Sequence, residues 1–208
     1  FNILKENSDI ITKLVSEKDL SVYHALNKAL KLCNGKYIGL LHSDDHYTSE
    51  SGLSDIHKEL ISSKSNVIFA SAAYYKIGRY TQQKRLYSAL DFNESLINYG
   101  FMPPHTSMFA SKEIYNQVGF FNPEFKIAAD CDWLLRMYNL KNIKVKYINK
   151  EIIKMNIGGI SYSSVFSILK IFKIQNELYR VFKMNKIKTS WIKLLFRYRY
   201  KIGQITKI

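Results

Sequence analysis

Cysteine is nearly absent from this chain: Cys33 and Cys131 are the only two in 208 residues, and they stand far apart. Neither belongs to a CxxC pair or to a metal-ligand spacing, so neither a disulfide framework nor a zinc site is expected, and a reducing cytosol fits best. Long apolar runs are also missing. No stretch approaches the ~20 residues that span a bilayer, and the N-terminus shows no charged region followed by an apolar secretory segment. There are no internal repeats and no Gly/Ser-rich or Pro-rich linkers, which argues against repeat arrays and tethered modules. Acids are scarce, with 17 Asp or Glu against 31 Lys or Arg and a net charge of +14.

What the chain does have is apolar content, 47% of residues, enough to bury one sizeable core. A single domain with an appendage is the natural expectation. The excess charge is localised: from Ser163 onward there are eleven lysines or arginines against Glu177 alone, which places ten of the fourteen net charges there. That shift sets the boundary between residues 1–160 and a basic tail, 161–208.

Along the chain, Asn2 to Val15 reads as a helix in mid-domain, and Leu20 to Cys33 as a second helix stopped by Asn34-Gly35. Tyr37 to Leu41 is a short apolar run that predicts a strand buried on both faces. Ser54 to Ser62 predicts a helix and Asn66 to Tyr75 a strand. Strand, helix, strand is the order of an α/β protein with a parallel or mixed sheet. Thr106 to Phe109 reads as extended, after the loop made by Pro103-Pro104. Ser111 caps a helix that Gly119 ends, and Asp130 to Tyr138 forms another. Val145 to Ile148 and Ile152 to Met155 read as short strands, and Gly158-Gly159 closes the domain. Beyond Ser163, Phe166, Leu169, Phe172, Tyr179 and Phe182 interleave with lysines and arginines as a basic amphipathic helix, and Trp191 to Tyr200 forms a second.

The residues most suggestive of chemistry are Asp44-Asp45, directly after a strand, because open α/β sheets place ligands at the carboxyl ends of their strands. Two adjacent carboxylates there can divide a task, one facing a sugar hydroxyl and the other a divalent cation. The same residues also suit an Asp-rich turn and helix cap. Asp130, at the start of a helix, suits an N-terminal acid favoured by the dipole. Asp132, two residues on, would not share its face. Arg136 equally suits an ordinary ion pair, and His105 a packing or surface role.

The ordered series Ser16-Glu17-Lys18-Asp19, Tyr23, Ala25, Asn27-Lys28, Asn34-Gly35-Lys36-Tyr37-Ile38 and Ser43-Asp44-Asp45 resembles the family 2 glycosyltransferases. So do Pro104-His105-Thr106-Ser107-Met108-Phe109, Val118-Gly119-Phe120-Phe121-Asn122 and Asp130-Cys131-Asp132-Trp133-Leu134-Leu135-Arg136, so the likeness covers roughly residues 1 to 160. It implies a GT-A, Rossmann-like mixed sheet flanked by helices. It also implies Asp44 on the nucleotide side, Asp45 on Mn²⁺ or Mg²⁺, and Glu17, Asp19, Asn27 and Lys28 around the nucleotide and its phosphates. Asp130 becomes the base, with His105, Asp132, Trp133 and Arg136 lining the acceptor. The chain departs from the family at His24, where an acid is usual, at Ser21 and Ala29, where glycines are usual, and at Ala129. Because family members open with a strand, a helix and a second strand, the resemblance implies that these precede Phe1.

The expected function is transfer of a sugar from a nucleotide donor, a UDP-sugar, to a glycan or lipid-linked acceptor in surface polysaccharide synthesis, by an inverting, metal-assisted displacement. The tail suits an anionic membrane surface at the inner face of the cell membrane. Its apolar stripe equally suits packing on the catalytic domain, and no nucleic-acid module accompanies the charge. The competing reading is an inactive truncated remnant or a membrane-associated interaction module.

Overall fold

The computed structural model describes residues 2–76, 79–156 and 168–205. Its elements are α1 (Asn2–Glu6), α2 (Val22–Leu32), β1 (Tyr37–Gly39), β2 (His46–Tyr47), α3 (Gly52–Ser63), β3 (Val67–Lys76) and β4 (Arg79–Tyr87). After two 3₁₀ turns, Glu94–Tyr99 and His105–Ser107, come β5 (Met108–Ser111), α4 (Lys112–Val118), α5 (Ala129–Tyr138) and β6 (Val145–Asn156). Helices α6 (Ile168–Met184), α7 (Trp191–Leu195) and α8 (Arg197–Ile205) complete the chain.

The strands make one mixed sheet in the order β1-β5-β3-β6-β2, with β4 continuing alongside the second half of β3. β3 runs parallel to β6 and antiparallel to β5, which is antiparallel to β1. The carboxyl ends of β1, β3 and β6 therefore lie on the same side as the start of β5. Alternation along β3 divides the core. Val67 and Phe69 face α2, α4, α5 and α6, while Ile68, Ala70 and Ala72 face α3 through Ile56 and Leu60. Phe69 and Trp133 are fully buried, each worth roughly 1.5–3 kcal/mol of transfer free energy or more.

Local chemistry explains the helix ends. The Ser21 hydroxyl accepts from His24 N at 3.1 Å to start α2, and Ser111 Oγ accepts from Ile114 N at 3.3 Å to start α4. Gly119, at φ 82°, ends α4 in a conformation that strains any other residue. α5 lacks a side-chain cap of its own. Glu177 of α6 substitutes for one, its Oε1 accepting from Ile127 N at 2.6 Å and Ala128 N at 2.8 Å. Leu178, Val181 and Phe182 of α6 and Leu194 of α7 join the core on the same face.

Several expectations need correction. The helix expected over Asn2 to Val15 is confined to α1, because Ile3, Ile10 and Val15 are more than half exposed and have no face to bury. The strand expected over Tyr37 to Leu41 is three residues long and lies at the end of the sheet order, with Ile38 buried and Gly39 and Leu41 exposed. Thr106 and Ser107 belong to a 3₁₀ turn, and the strand begins at Met108. The two strands expected near residue 150 are one, β6, whose ladder with β3 shifts register between Phe69 and Ala72. Trp191 to Tyr200 breaks at Phe196 into α7 and α8. Gly158-Gly159, Ser163 and Phe166 lie outside the described residues.

Candidate active site

β1 delivers the chain into the loop that carries the paired carboxylates. Gly39 is required just before it, since a Cβ there would come within 2.5 Å of the Phe109 ring. The loop turns on a hydrogen bond from Asp45 N to His42 O, 3.1 Å, and is fastened to the end of β6 by Asn156 Nδ2, which donates to Asp44 O at 3.0 Å. β2 then pairs with β6, so Asp44 and Asp45 are held between the carboxyl ends of β1 and β6.

The start of β5 brings His105 to the same end. Its ring stands edge-on to His42, 6.2 Å between centroids, and its Nδ1 lies 3.2 Å from Asp130 Oδ2 at the start of α5. Tyr23 of α2 completes the cluster: its hydroxyl proton is shared between the Ile127 carbonyl oxygen at 2.7 Å and Asp130 Oδ1 at 3.2 Å. Asp130 is thus a partly exposed carboxylate fixed on both oxygens, the arrangement a positioned general base needs.

The electrostatics tie the two carboxylate groups into one site. Burial, and then the neighbouring Asp44 charge, push Asp45 up to about 6. Burial and the nearby His105 depress His42, against the opposing pull of Asp44 and Asp130. Burial raises the Tyr74 hydroxyl, which also feels Arg85, Asp45 and Asp130.

Neither Asp44 nor Asp45 has a cationic partner among the described residues. No group of three or more His, Cys, Asp or Glu side chains that could hold a metal occurs among those residues. Two adjacent carboxylates without a cationic partner are oxygen donors of the type a divalent cation takes.

The other predicted site residues lie as follows. Lys28 is enclosed by two acids, bonding Glu17 Oε1 closely and Asp19 Oδ1 at 2.9 Å, and these contacts raise its pKa. Asp19 also contacts His24 Nδ1 at 3.0 Å, and Lys28, then His24, lower its pKa. Asn27 gives both ends of its amide to Phe121, donating to O at 2.8 Å and accepting from N at 2.9 Å. Asp132 is 4% exposed and accepts from Arg136 Nε at 2.9 Å and Asn185 Nδ2 at 2.8 Å. Arg136 also donates to the carbonyls of Val118 and Phe120, and Trp133 Nε1 to Gly119 O at 2.9 Å. Asp132, Trp133 and Arg136 together hold the 118–121 loop. A separate groove of about 320 Å³, lined by Leu30, Lys31, Ile38, Lys112, Tyr115 and Phe120, contains none of the predicted site residues.

The fold is a mixed sheet flanked by helices, with paired acids at one strand end and a third acid opening a helix beside them. No family model matches the sequence, and no curated protein does. Among solved structures the chain is similar to S. aureus TarS, a glycosyltransferase. Over 88% of this chain and 50% of TarS 1-349 the identity is 18% and the TM-score 0.59. The structure of TarS in complex with UDP-GlcNAc gives 0.61 at 18% identity over 88% and 52% of the two chains, and that in complex with UDP gives 0.56 at 17%. The chain spans about half the length of these TarS structures.

Proposed function

We propose that this chain carries the catalytic face of a GT-A-type glycosyltransferase that moves a sugar from a UDP-sugar to a glycan or lipid-linked acceptor. The observation that supports it most is the convergence of Asp44-Asp45 with the Tyr23–Asp130–His105 cluster at the carboxyl ends of β1, β3 and β6. Solved TarS complexes hold UDP and UDP-GlcNAc on a similar fold.

In this reading Asp44 faces the nucleotide and Asp45 holds Mn²⁺ or Mg²⁺, which when bound neutralises charge on the diphosphate. The acceptor hydroxyl attacks the anomeric carbon as its proton passes to Asp130. The bond from that carbon to the diphosphate oxygen breaks, taking its electron pair, and one such displacement inverts configuration. His105 and Tyr23 hold Asp130 in line with the attacking oxygen. Outward-facing Leu169, Ile192 and Ile202, 76%, 69% and 64% exposed among tail lysines, suit docking on an anionic membrane surface. No described helix is long and apolar enough to cross a membrane.

The test is isothermal titration with UDP, and separately GDP, with and without Mn²⁺. Metal-dependent UDP binding that disappears in Asp45→Ala supports the reading. Folded protein that binds neither nucleotide overturns it and leaves the inactive interaction module.

A further inference from the structure

Glu177 is an acid in a basic tail that pairs with none of its cations. Eleven lysines or arginines follow Ser163, yet no cationic side chain forms an ion pair with Glu177 among the described residues. Its Oε1 instead accepts from two successive main-chain amides, Ile127 N at 2.6 Å and Ala128 N at 2.8 Å. Ala128 is the residue that opens α5, and its methyl side chain cannot cap a helix. A carboxylate is a strong acceptor for such N–H groups, because the bonds are charge-assisted and the helix dipole favours an anion there.

The same turn holds the candidate base. Ile127 is fixed through both of its main-chain polar atoms: its N–H goes to Glu177, and its carbonyl oxygen accepts from the Tyr23 hydroxyl at 2.7 Å. That hydroxyl lies 3.2 Å from Asp130 Oδ1. A continuous path of contacts therefore runs from Glu177 through Ile127 and Tyr23 to the Asp130 carboxylate. A second tie comes from the end of α6, where Asn185 Nδ2 donates to Asp132 Oδ1 at 2.8 Å while Asp132 also accepts from Arg136. The two ties reach residues 127–128 and 132, on either side of Asp130 in the chain. Both originate beyond residue 160, outside the stretch whose sequence resembles the glycosyltransferases.

We infer that Glu177 is a positioning residue for Asp130, setting where that carboxylate stands relative to the attacking oxygen by fixing the Ile127–Ala128 turn. This role rests on the glycosyltransferase reading, which makes Asp130 the base. Glu177 itself touches no substrate, and α6 becomes part of the framework of the site.

The test is turnover by the whole chain with Mn²⁺, with UDP-GlcNAc, UDP-glucose and UDP-galactose as donors, water as acceptor and release of UDP as the readout. In that reaction a water oxygen bonds to the anomeric carbon, its proton passes to Asp130, and the bond to the diphosphate breaks with its electron pair on UDP. Glu177→Ala should lower kcat roughly ten- to a hundredfold, the scale of a displaced catalytic group, while KM for the donor changes less than about twofold. Glu177→Gln, whose amide oxygen can still accept from both N–H groups, should restore most of kcat. Ile56→Val, buried against α3 on the opposite face of the sheet, is a destabilised control that should keep the wild-type kcat. Circular dichroism confirms that each variant is folded, and Glu177→Asp, one methylene short of the amides, takes the place of Glu177→Ala if the latter is not. A folded Glu177→Ala or Glu177→Asp with wild-type kcat, a Glu177→Gln as impaired as the alanine variant, or an equal loss in Ile56→Val overturns the role. A wild type that turns over none of the three donors fails earlier, at the glycosyltransferase reading, and the role falls with it.

Discussion

Replacing Asp45 by Asn should make the metal-free protein more stable at neutral pH. Burial and Asp44 raise the Asp45 carboxyl from 3.8 to about 6, so the folded state holds its proton more tightly than the unfolded chain. For a raised carboxyl the sign is the reverse of the usual one. The charge costs nothing below about pH 3.8, and stability falls as pH rises through the window to about 6, where the loss is complete. Two units correspond to about 3 kcal/mol as a ceiling, and partial exposure of the site brings this to about 1–2 kcal/mol. Urea denaturation in EDTA should therefore show Asp45→Asn above wild type by that amount near pH 7.5, and by about half as much near pH 5. Adding Mn²⁺ should stabilise the wild type and leave the variant unchanged. A variant no more stable than wild type in EDTA near pH 7.5 would refute the claim that Asp45 is held charged against its surroundings.

Asp130→Asn should lower sugar transfer roughly a hundred- to ten-thousandfold in a radiolabelled-donor assay while leaving UDP affinity unchanged. Glu177→Ala strips two backbone N–H groups of their acceptor and should cost about 1–3 kcal/mol by chemical denaturation. Gly39→Ala must displace the Phe109 ring and should destabilise by about 1–3 kcal/mol, read as a shift in denaturant midpoint at constant slope. Leu169→Ser with Ile192→Ser should reduce sedimentation with vesicles rich in anionic lipid; equal binding to neutral and anionic vesicles would remove the membrane proposal.

The parts of the fold legible in the sequence are those with a local signal. Ser111 announces its helix, Gly119 ends one, and Asn66 to Tyr75 reads as a strand, while the burial on both faces expected of Tyr37 to Leu41 belongs to β3. β4, with the sequence RYTQQKRLY, carries no apolar face and is a strand only because β3 offers its edge. β2 is two residues long, below the reach of any period.

In the site, Asp44 and Asp45 are legible from their position at a strand end, whereas His105 and Asp130 enter only through the resemblance to a family. Tyr23 is not legible, since its partner lies 107 residues away. Nor is the stacking of Arg85 over Tyr74, which depends on the register of β3 against β4. Asn27, Asp132, Trp133 and Arg136 have residue types suited to a site, and their polar atoms engage backbone at 118–121, their neighbouring helices or each other.

Glu177 is the lone acid among the basic residues beyond Ser163, and its carboxylate is fastened to the amides of Ile127 and Ala128, just ahead of α5 and Asp130. The register of α6 is therefore written into the placement of the candidate base. A slide of that helix along its axis would carry the first turn of α5 with it, so whatever surface α6 rests on is mechanically in series with the Asp130 carboxylate.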